Sequence, residues 1–379
     1  MNSLQGFLGA FTHLLQARLF PAIEEECGPL SALQQDFVGA LALLQLEGFT
    51  ARRQGPGRPA HDRAAIARAF LAKAVFDIPN TRALLDRLVH DKVLRHLCGW
   101  DRAAQLPDES VFSRAFAEFA RAEFGQRVHA ALIARTQSKR VVGHILRDST
   151  AIETREKAAP KKPVPEEARP RRRHRKAGST KSPEQMTRLE RQASGAMTLE
   201  QMLAELPRVC DTGCKPNSRG VRHYWDGYKL HLDVADGQIP ISCVLTSASL
   251  HDNQVAIPLA LMSAARVTSL YDLMDAGYDC AAIREHSRSL GHVPLIPHQK
   301  RGAAPAAEMA PHEKARYRER TAAERVYGRL KDEFGGRWVR VRGAAKVMTH
   351  LMFGILALTV DQIMRWSGTG PPDGSPARA

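Results

Sequence analysis

The chain has 379 residues, enough for two or three domains with a sizeable core, and its net charge is +15 at pH 7. Six cysteines in this length exclude a small disulfide-stapled scaffold and favour a reducing compartment. The N-terminal apolar stretch lacks a basic region and a small-residue cleavage site, and the apolar segment 347–360 is shorter than a bilayer span. We therefore expect a soluble protein without a signal peptide or a membrane-spanning helix.

Helical periodicity predicts an all-helical domain over residues 1–137. Apolar residues recur at helical spacing in 61–76, 81–91 and 111–124, and a basic turn rich in glycine and proline precedes them at 52–59. A compact helical unit with a basic loop suits duplex DNA binding. The same pattern also fits an ordinary helical packing domain, and the residues alone favour neither interpretation.

Alternation of strand and helix patterns predicts a mixed α/β domain over 138–366. The apolar run VVGHIL predicts a strand that ends at Asp148. A hairpin follows over 227–249, turning at Asp236-Gly237, and we expect it to supply antiparallel edge strands to an otherwise parallel sheet. Further elements are predicted in the order helix, strand, helix, strand and helix, followed by WVRVRG and an amphipathic C-terminal helix over 344–366. The tail 367–379 has no core-forming residues and is predicted to be disordered.

The positive charge is concentrated in an insertion within this domain. Residues 155–191 contain 13 Lys and Arg against 5 Asp and Glu, a net charge of +8. Low apolar content and many prolines predict disorder over about 155–195. Such a charge balance indicates a polyanionic partner, nucleic acid before an anionic membrane surface. Arg171, Arg172 and Arg173 are candidate DNA contacts.

Three carboxylates are predicted to meet at one edge of the sheet. Asp148 and Asp275 follow predicted strands, where open α/β sheets place their sites, and Glu324 lies on a helix that could pack against that edge. Converging carboxylates repel one another unless cations neutralise them, so the pattern indicates a two-metal site. Oxygen ligands favour Mg²⁺, with Mn²⁺ as the other candidate. A single aspartate at a strand end can equally cap the next helix.

Asp272 competes with Asp275 for this position. The two lie three residues apart on a predicted strand, so their side chains point to opposite faces and only one can join the site. We favour Asp275, because Gly277 allows a tight turn directly after it.

Four polar residues follow at offsets of 3, 7 and 14 along one predicted helix: Tyr317, Arg320, Glu324 and Lys331. At about 100° per residue they lie within about 60° of one another, beside an apolar stripe that can pack. They could hold phosphates next to a metal ligand, or form a solvated, ion-paired face. Lys229 and His251 are further candidates near the site, although Lys229 could be a solvated strand residue and His251 a loop cap.

Two cysteines near a histidine suggest a different metal. Cys210 and Cys214 lie four residues apart with His223 nearby, which could form half of a zinc site. A second close Cys/His pair is missing, so zinc stays the weaker alternative.

In these blocks the chain resembles the bacterial insertion-sequence transposases of the DDE type, whose catalytic core is RNase H-like. Its C-terminal motif, Tyr-x2-Arg-x3-Glu-x6-Lys, is matched by the four residues at 317, 320, 324 and 331. The Asp-x-Gly-Tyr block is matched from Asp275 to Tyr278, and Asp148 precedes Ser-Thr after an apolar strand, as the family's first acid does. GYKLHL, SASLHDNQ and WVRVRG also look like family blocks. The resemblance covers roughly 140–365 and extends more loosely to the helical region after Gly57–Pro59.

The resemblance implies a DNA transposase that cuts at the ends of its own element and joins them to target DNA. Asp148, Asp275 and Glu324 would hold two Mg²⁺ ions, and Tyr317, Arg320 and Lys331 would bind phosphates. Expected partners are double-stranded DNA, comprising the element's terminal inverted repeats and target DNA, and a second copy of the chain in a synaptic homodimer. We expect a cytoplasmic, nucleoid-associated bacterial protein. A nuclease without strand transfer, or a DNA-binding regulator with a vestigial core, are the alternatives.

One feature departs from some members of that family, which carry a β-rich insertion between the second Asp and the Glu. Only 48 residues separate Asp275 from Glu324, which leaves no room for such a subdomain. The extra length lies between Asp148 and the hairpin, so contacts made by the inserted domain are not carried over.

Overall fold

The computed structural model describes residues 25, 28–50, 61–160, 186–216, 220–299 and 308–367. The basic turn 52–59, most of the basic insertion with Arg171, Arg172 and Arg173, and nearly all of the tail lie outside these ranges. In the described part, helices precede a six-stranded sheet whose strands alternate with further helices.

The N-terminal part is helical, as periodicity predicts. Its helices are α1 (Ala32–Leu44), α2 (Arg63–Val75), α3 (Thr81–His90), α4 (Lys92–Cys98), α5 (Glu109–Arg121) and α6 (Phe124–Thr136). Short polar side chains begin several of them: Asp62 accepts from the Ala64 N–H at the start of α2, and Asn80 from the Ala83 N–H at the start of α3. These contacts satisfy N–H groups that lack partners within the helix.

The sheet contains the predicted hairpin and parallel strands. Its strands are β1 (Val141–Glu153), β2 (Asp211–Pro216), β3 (Arg222–Ala235), β4 (Ile239–Ser247), β5 (Thr268–Met274) and β6 (Val293–Leu295). The order is β2-β3-β1-β5-β6, with β4 also paired to β3. Strands β1, β5 and β6 are parallel, whereas β3 runs antiparallel to β1, β2 and β4. The mixed sheet is therefore confirmed, with β2 as a strand that the sequence pattern did not reveal.

The remaining helices flank this sheet. They are α7 (Arg188–Ala193), α8 (Leu199–Ala204), α9 (Ala256–Ala264), α10 (Ala281–Ser289), α11 (Pro311–Tyr317), α12 (Thr321–Asp332) and α13 (Ala344–Trp366). Helix α7 lies inside the segment 155–195 that composition predicted to be disordered. That boundary is wrong on this side, because Thr187 and Glu190 form a reciprocal capping box at the start of α7. Residues 161–185 lie outside the description.

Helix α13 joins the helical part to the sheet. It is 23 residues long, packs against α1, α2, α5, α6 and β4, and is buried along nearly its whole length. Phe353 on α13 lies 5.6 Å from Phe70 of α2 between ring centroids, within an aromatic cluster. One core cluster consequently includes residues from Phe37 to Ile363. The predicted domain boundary at residue 137 therefore separates two parts of the sequence that share one hydrophobic core.

Helix α13 is longer than the apolar segment 347–360 that the sequence suggested. Within the described residues it is the one helix long and apolar enough to cross a bilayer, because it extends well beyond 347–360. In the fold, 89% of its most apolar window is buried against protein. Its apolar composition is therefore explained by its position in the core.

Candidate active site

Asp148 lies in the middle of β1, not at its end as predicted. Pairing of β1 with the parallel strand β5 ends at Arg147, opposite Met274, whereas pairing with β3 continues to Glu153. The strand is longer than the apolar run because its second half is held by β3 alone. Asp148 still lies where the parallel pairing stops, so its carboxylate faces the edge at which β5 also ends.

Tyr327 attaches helix α12 to the backbone of Asp148. Its hydroxyl donates to the Asp148 carbonyl oxygen and accepts from the Leu232 N–H at 3.0 Å, and Asp148 and Leu232 are paired across β1 and β3. The predicted apolar stripe of α12 is buried with it, including Ala323, Val326 and Leu330. Glu324 lies one turn before Tyr327, so this contact brings Glu324 to the Asp148 side of the sheet.

The guanidinium of Arg320 lies between two of the three predicted carboxylates. Its Nη1 donates to Oδ2 of Asp148 at 3.2 Å, and its Nη2 donates to Oε1 of Glu324 at 3.2 Å. The Glu324 side chain is 60% exposed, whereas Arg320 is largely covered. Arg320 also lies 5.9 Å from the ring centroid of Tyr317. Arg320 thus contacts two other residues of the motif, Tyr317 and Glu324.

The motif does not lie on one uninterrupted α-helix. Helix α11 ends at Tyr317, a 3₁₀ turn spans Arg318–Arg320, and α12 begins at Thr321. The tighter turn changes the 100° spacing assumed from the sequence. Tyr317 and Arg320 nevertheless stay neighbours, because residues three apart lie on the same side of both helix types.

Asp275 follows β5 directly and begins a turn of the chain. Its Oδ1 accepts from the Gly277 N–H at 2.9 Å and caps the 3₁₀ turn Ala276–Tyr278. A Cβ on Gly277 would lie 2.9 Å from that same oxygen, so a larger residue there would displace the Asp275 carboxylate. Asp275 is close enough to Asp148 to raise the pKa of the Asp148 carboxyl.

Asp272 lies on the other side of β5 in a buried polar cluster. Its Oδ2 accepts from the Ser287 hydroxyl at 2.6 Å and contacts Nδ1 of His292 at 3.2 Å. Asp272 and Asp275 therefore have separate surroundings, as alternation along the strand predicts.

Burial raises the pKa of Asp148 to about 6. Desolvation is the largest cause, and the neighbouring Asp275 carboxylate adds to it. The Ser149 N–H, Arg320 and Lys215 oppose the shift by stabilising the charged form. Ionising the buried Asp148 carboxyl costs free energy, so a nearby cation would stabilise its charged form.

Directly behind Asp148, the buried pair Arg147–Asp233 fixes the centre of the sheet. Arg147 Nε and Nη2 donate to the two carboxylate oxygens of Asp233 at 2.8 and 2.7 Å, and Ser263 donates to Asp233 Oδ2 at 2.7 Å. Both side chains of the pair are almost completely buried, at 2% and 0% exposure. This bidentate contact ties β1 to β3 on the face opposite Asp148.

Lys229 contacts a carboxylate that the sequence analysis did not select. Its Nζ lies 2.9 Å from Oδ1 of Asp252 and 2.7 Å from the Leu250 carbonyl oxygen. Asp252 also hydrogen-bonds the Ser149 side chain; although burial opposes it, His231 and Lys229 hold the pKa of Asp252 below its usual value. His251 caps the following turn through Nδ1. In the sequence, the polar run HDN directly before an apolar helical pattern could have indicated Asp252 as a site residue.

Lys331 lies toward the far end of β1. Burial lowers the pKa of the Lys331 ammonium, the neighbouring Arg337 lowers it further, and Glu153 opposes both. Glu153 is the last residue of β1, five positions beyond Asp148. Lys331 is therefore displaced along the strand from Arg320, with Lys215 close to both Lys331 and Asp148.

Comparison with protein families identifies both halves of the chain. The family described as transposase DDE domain matches residues 206–360, and the family described as transposase domain (DUF772) matches residues 34–118. Together the two matches include more than half of the chain. The chain belongs to the DDE transposases of insertion sequences. No curated protein and no solved structure matched this transposase.

The family assignment identifies the fold. A helical N-terminal region followed by a mixed sheet flanked by helices is the RNase H-like arrangement of a DDE domain. Asp275 and Glu324 lie inside the matched DDE region, whereas Asp148 lies before it. The placement of Asp148 in the candidate site consequently depends on its contacts with Arg320 and Tyr327.

The donor set of the candidate site suits a hard divalent cation. Asp148, Asp275 and Glu324 offer carboxylate oxygens, and the Arg320 guanidinium takes the place of a cation between two of them. In the described part of the chain, no three His, Cys, Asp or Glu side chains already lie in a metal-binding group. The chemistry of the residues thus fits a divalent ion, with Arg320 in the intervening space.

The zinc alternative gains no support from the described residues. Cys210 is buried, and its thiol donates to the Glu156 carbonyl oxygen at 3.5 Å. Cys214 is exposed on β2, one pairing step from His223. The two cysteines have different surroundings, and neither contacts a histidine in an assigned hydrogen bond.

Proposed function

We propose that this transposase cleaves at the ends of an insertion sequence and joins them to target DNA, with Asp148, Asp275 and Glu324 as its catalytic carboxylates. The observation that carries the proposal is the Arg320 guanidinium held 3.2 Å from both Asp148 and Glu324, with Asp275 beside them. Converging carboxylates are the ligands that a metal-dependent nuclease site uses, and in the protein alone the Arg320 cation balances two of them.

The three carboxylates would hold two Mg²⁺ ions, for which Mn²⁺ could substitute. When bound, the ions would supply activation of a water or a 3′-hydroxyl for in-line attack on the phosphodiester and stabilisation of the leaving oxygen. Asp148 is held for this role from both sides, by the Ser149 N–H on its carboxylate and by Tyr327 on its carbonyl. Asp275 is held by its contact with the Gly277 N–H.

The cationic and phenolic residues of the motif would act on DNA. Arg320 has the planar donor geometry for bidentate phosphate contact, and Lys331 supplies a point charge farther along β1. Tyr317 borders Arg320 and could position it against the scissile strand. Lys229 is paired with Asp252, so we assign it to shaping the loop beside Asp148, with DNA contact as a second role.

The expected partners follow from this chemistry. The helical N-terminal part would bind duplex DNA, and Arg171, Arg172 and Arg173 in the basic insertion would add phosphate contacts. Joining two element ends requires that both be held together, so we propose a homodimer on DNA. A DNA-acting transposase of this kind would work in the bacterial cytoplasm at the nucleoid.

The test is an in vitro reaction with a plasmid that carries the coding region and its flanking inverted repeats. With Mg²⁺ the wild-type protein should release the element ends and produce strand-transfer products. Asp148→Asn, Asp275→Asn and Glu324→Gln should each lower cleavage by about a thousandfold, because a metal site supplies several kcal/mol of transition-state stabilisation. Binding of the same DNA should change little.

A matched control is available on the same segment. Glu319 is an exposed carboxylate directly before Arg320, and Glu319→Gln should leave cleavage unchanged. Cleavage without any joined product would favour the nuclease alternative. Sequence-specific binding with no cleavage by the wild type would favour the regulator.

A further inference from the structure

A cavity of about 380 Å³ lies between the N-terminal helices and the segment that follows α12. The N-terminal side contributes Lys73 of α2 and Asn80 at the start of α3. The other side contributes Trp338, Arg340 and Arg342. The cavity therefore joins the two regions matched by separate transposase families, and it contains none of the three catalytic carboxylates.

The cations that line this cavity are incompletely balanced. Arg340, Arg342 and Lys346 are exposed, and within the described ranges none of them has a carboxylate at ion-pairing distance. Burial lowers the pKa of Lys73 to about 8, and the Arg340 charge adds to that shift while Asp77 opposes it. The one carboxylate on the wall, Glu109, lies 3.8 Å from Arg82. Unbalanced positive charge next to a cavity favours an anionic ligand.

Trp338 presents an aromatic surface at the same place. Its side chain is 68% exposed, although the next residue, Val339, is buried and forms a bridge with Thr154. Val339 thus anchors the segment, while Trp338 and Arg340 on either side of it face solvent. An exposed tryptophan between arginines can stack on a base while the arginines contact phosphates. A surface that bound phosphates alone would not need the tryptophan.

The segment that lines one side of the cavity is bridged to the chain just beyond the strand that carries Asp148. Thr154, which bridges Val339, is six residues beyond Asp148, a distance of about 20 Å in an extended chain. Lys331 lies close to Glu153 at the end of β1 and to Arg337, which is itself paired with Asp332. The segment that carries Trp338 and Arg340 is therefore attached just beyond the end of the strand that carries Asp148.

We infer that this cavity binds one unpaired nucleotide of the DNA, with its base stacked on Trp338 and its flanking phosphates held by Arg340, Arg342 and Lys346. The inference rests on the proposed function only in taking DNA as the ligand. A base removed from the duplex offers the aromatic face and the phosphates that this combination of side chains matches. The site would hold DNA that passes the carboxylates at a fixed distance from the cut.

The experiment uses the full-length protein in EDTA and three short DNA probes of unrelated sequence. One is a blunt duplex, the second carries a single-stranded thymidine overhang, and the third carries an abasic overhang with the same number of phosphates. Wild-type protein should bind the thymidine probe more tightly than the abasic probe, by about tenfold if one base stacks. Trp338→Ala should abolish that difference, and Trp338→Phe should retain part of it.

The phosphate contacts are tested separately. Arg340→Ala with Arg342→Ala should weaken binding of both overhang probes by the same factor, because phosphates are present in both. Arg288, an exposed arginine on α10, is the matched control, and Arg288→Ala should have little effect. Trp366→Ala is the control for loss of an exposed tryptophan elsewhere.

Equal binding of the thymidine and abasic probes by the wild type would overturn the inference. So would equal losses from Trp338→Ala and Trp366→Ala, which would show that the base is recognised elsewhere. Because the probes carry no element end and no metal is present, the outcome is independent of cleavage. A failed cleavage reaction would therefore count against the proposed function alone.

Discussion

The Arg320 guanidinium donates to the Asp148 carboxylate at 3.2 Å, across 172 residues of sequence. The same side chain reaches Glu324 at 3.2 Å, so one residue of the motif balances two of the proposed metal ligands. This contact gives Arg320 two competing uses. It can pair with carboxylates in the protein alone, or with DNA phosphate when a divalent ion takes over the carboxylates.

Arg320 should consequently oppose metal binding in the absence of DNA. Arg320→Ala is expected to increase Mn²⁺ affinity by about fivefold, because a partly exposed ion pair contributes up to about 1 kcal/mol. Titration calorimetry with Mn²⁺ measures this, and DNA cleavage by the same variant should fall. Arg318→Ala, which removes an exposed neighbouring arginine, is the control. Weaker Mn²⁺ binding by Arg320→Ala would contradict the competition.

The raised pKa of Asp148 predicts a pH-dependent stability. Its folded value is about 6 against 3.8 for a free aspartate, so between these values the folded state keeps a proton that the unfolded state has lost. The free energy of unfolding should therefore fall as pH rises through this window. In EDTA, Asp148→Asn should be more stable than the wild type at pH 7, by up to about 3 kcal/mol, since each pKa unit corresponds to about 1.4 kcal/mol.

Thermal or urea unfolding at pH 4 and pH 7 checks this prediction. The advantage of Asp148→Asn should largely disappear at pH 4, where Asp148 is protonated in the folded protein. Asp332→Asn, at an exposed carboxylate, serves as the control. An equal difference at both pH values would assign the effect to packing.

Tyr327 should position the proposed catalytic residues Asp148 and Glu324 without touching DNA. Tyr327→Phe removes a buried hydroxyl that bridges Asp148 and Leu232, and is expected to cost about 1–3 kcal/mol of stability. Cleavage should fall with unchanged DNA affinity, because α12 carries Glu324. Tyr224→Phe, at an exposed tyrosine on β3, should change neither quantity. Normal cleavage by Tyr327→Phe at a temperature where it is folded would refute the positioning role.

Arg147 and Asp233 should stabilise the sheet mainly because each neutralises the buried charge of the other. Arg147→Met leaves a buried, uncompensated Asp233 and is expected to cost about 3–5 kcal/mol. Replacing both residues, with Arg147→Met and Asp233→Leu, should cost less than Arg147→Met alone. Chemical unfolding of single and double variants measures the difference. Arg337→Met, at an exposed pair with Asp332, should cost under about 1 kcal/mol.

The basic insertion should contribute non-specific DNA contacts. Residues 161–185 contain nine Lys and Arg, among them Arg171, Arg172 and Arg173. Replacing this segment by an uncharged Gly/Ser linker of equal length should reduce the steepness of the salt dependence of DNA affinity, since each phosphate contact releases about one counterion. Binding measured over a series of NaCl concentrations tests this. An unchanged slope would indicate another role, such as protein docking.

Much of the fold was predictable because it depends on local patterns. Periodicity predicted α2, α3 and α5, and β-branched runs around Asp236-Gly237 predicted the hairpin. The errors arose where distant partners decide the outcome. The length of β1 depends on pairing with β3, and the short strand β2 has the polar sequence DTGCKP, which carries no strand signal.

Within the candidate site, the residues and the spacing of the motif were readable from the sequence. Its contacts were not. Asp252 beside Lys229, and Tyr327 on the carbonyl of Asp148, depend on side chains that approach from separate elements. The 3₁₀ turn Arg318–Arg320 also altered the geometry that an ideal helix implied.

The sequence by itself determined the chemical types available: three acids that favour a hard cation, a basic and phenolic motif, and an excess of positive charge suited to DNA. These properties belong to individual residues and their spacing. Tertiary structure decided which charges meet, placing Arg320 between Asp148 and Glu324 and Trp338 among the basic residues of a cavity. The physical reason is that electrostatic contacts depend on distances of a few ångströms between atoms, and the packing of α12 and α13 against the sheet sets those distances.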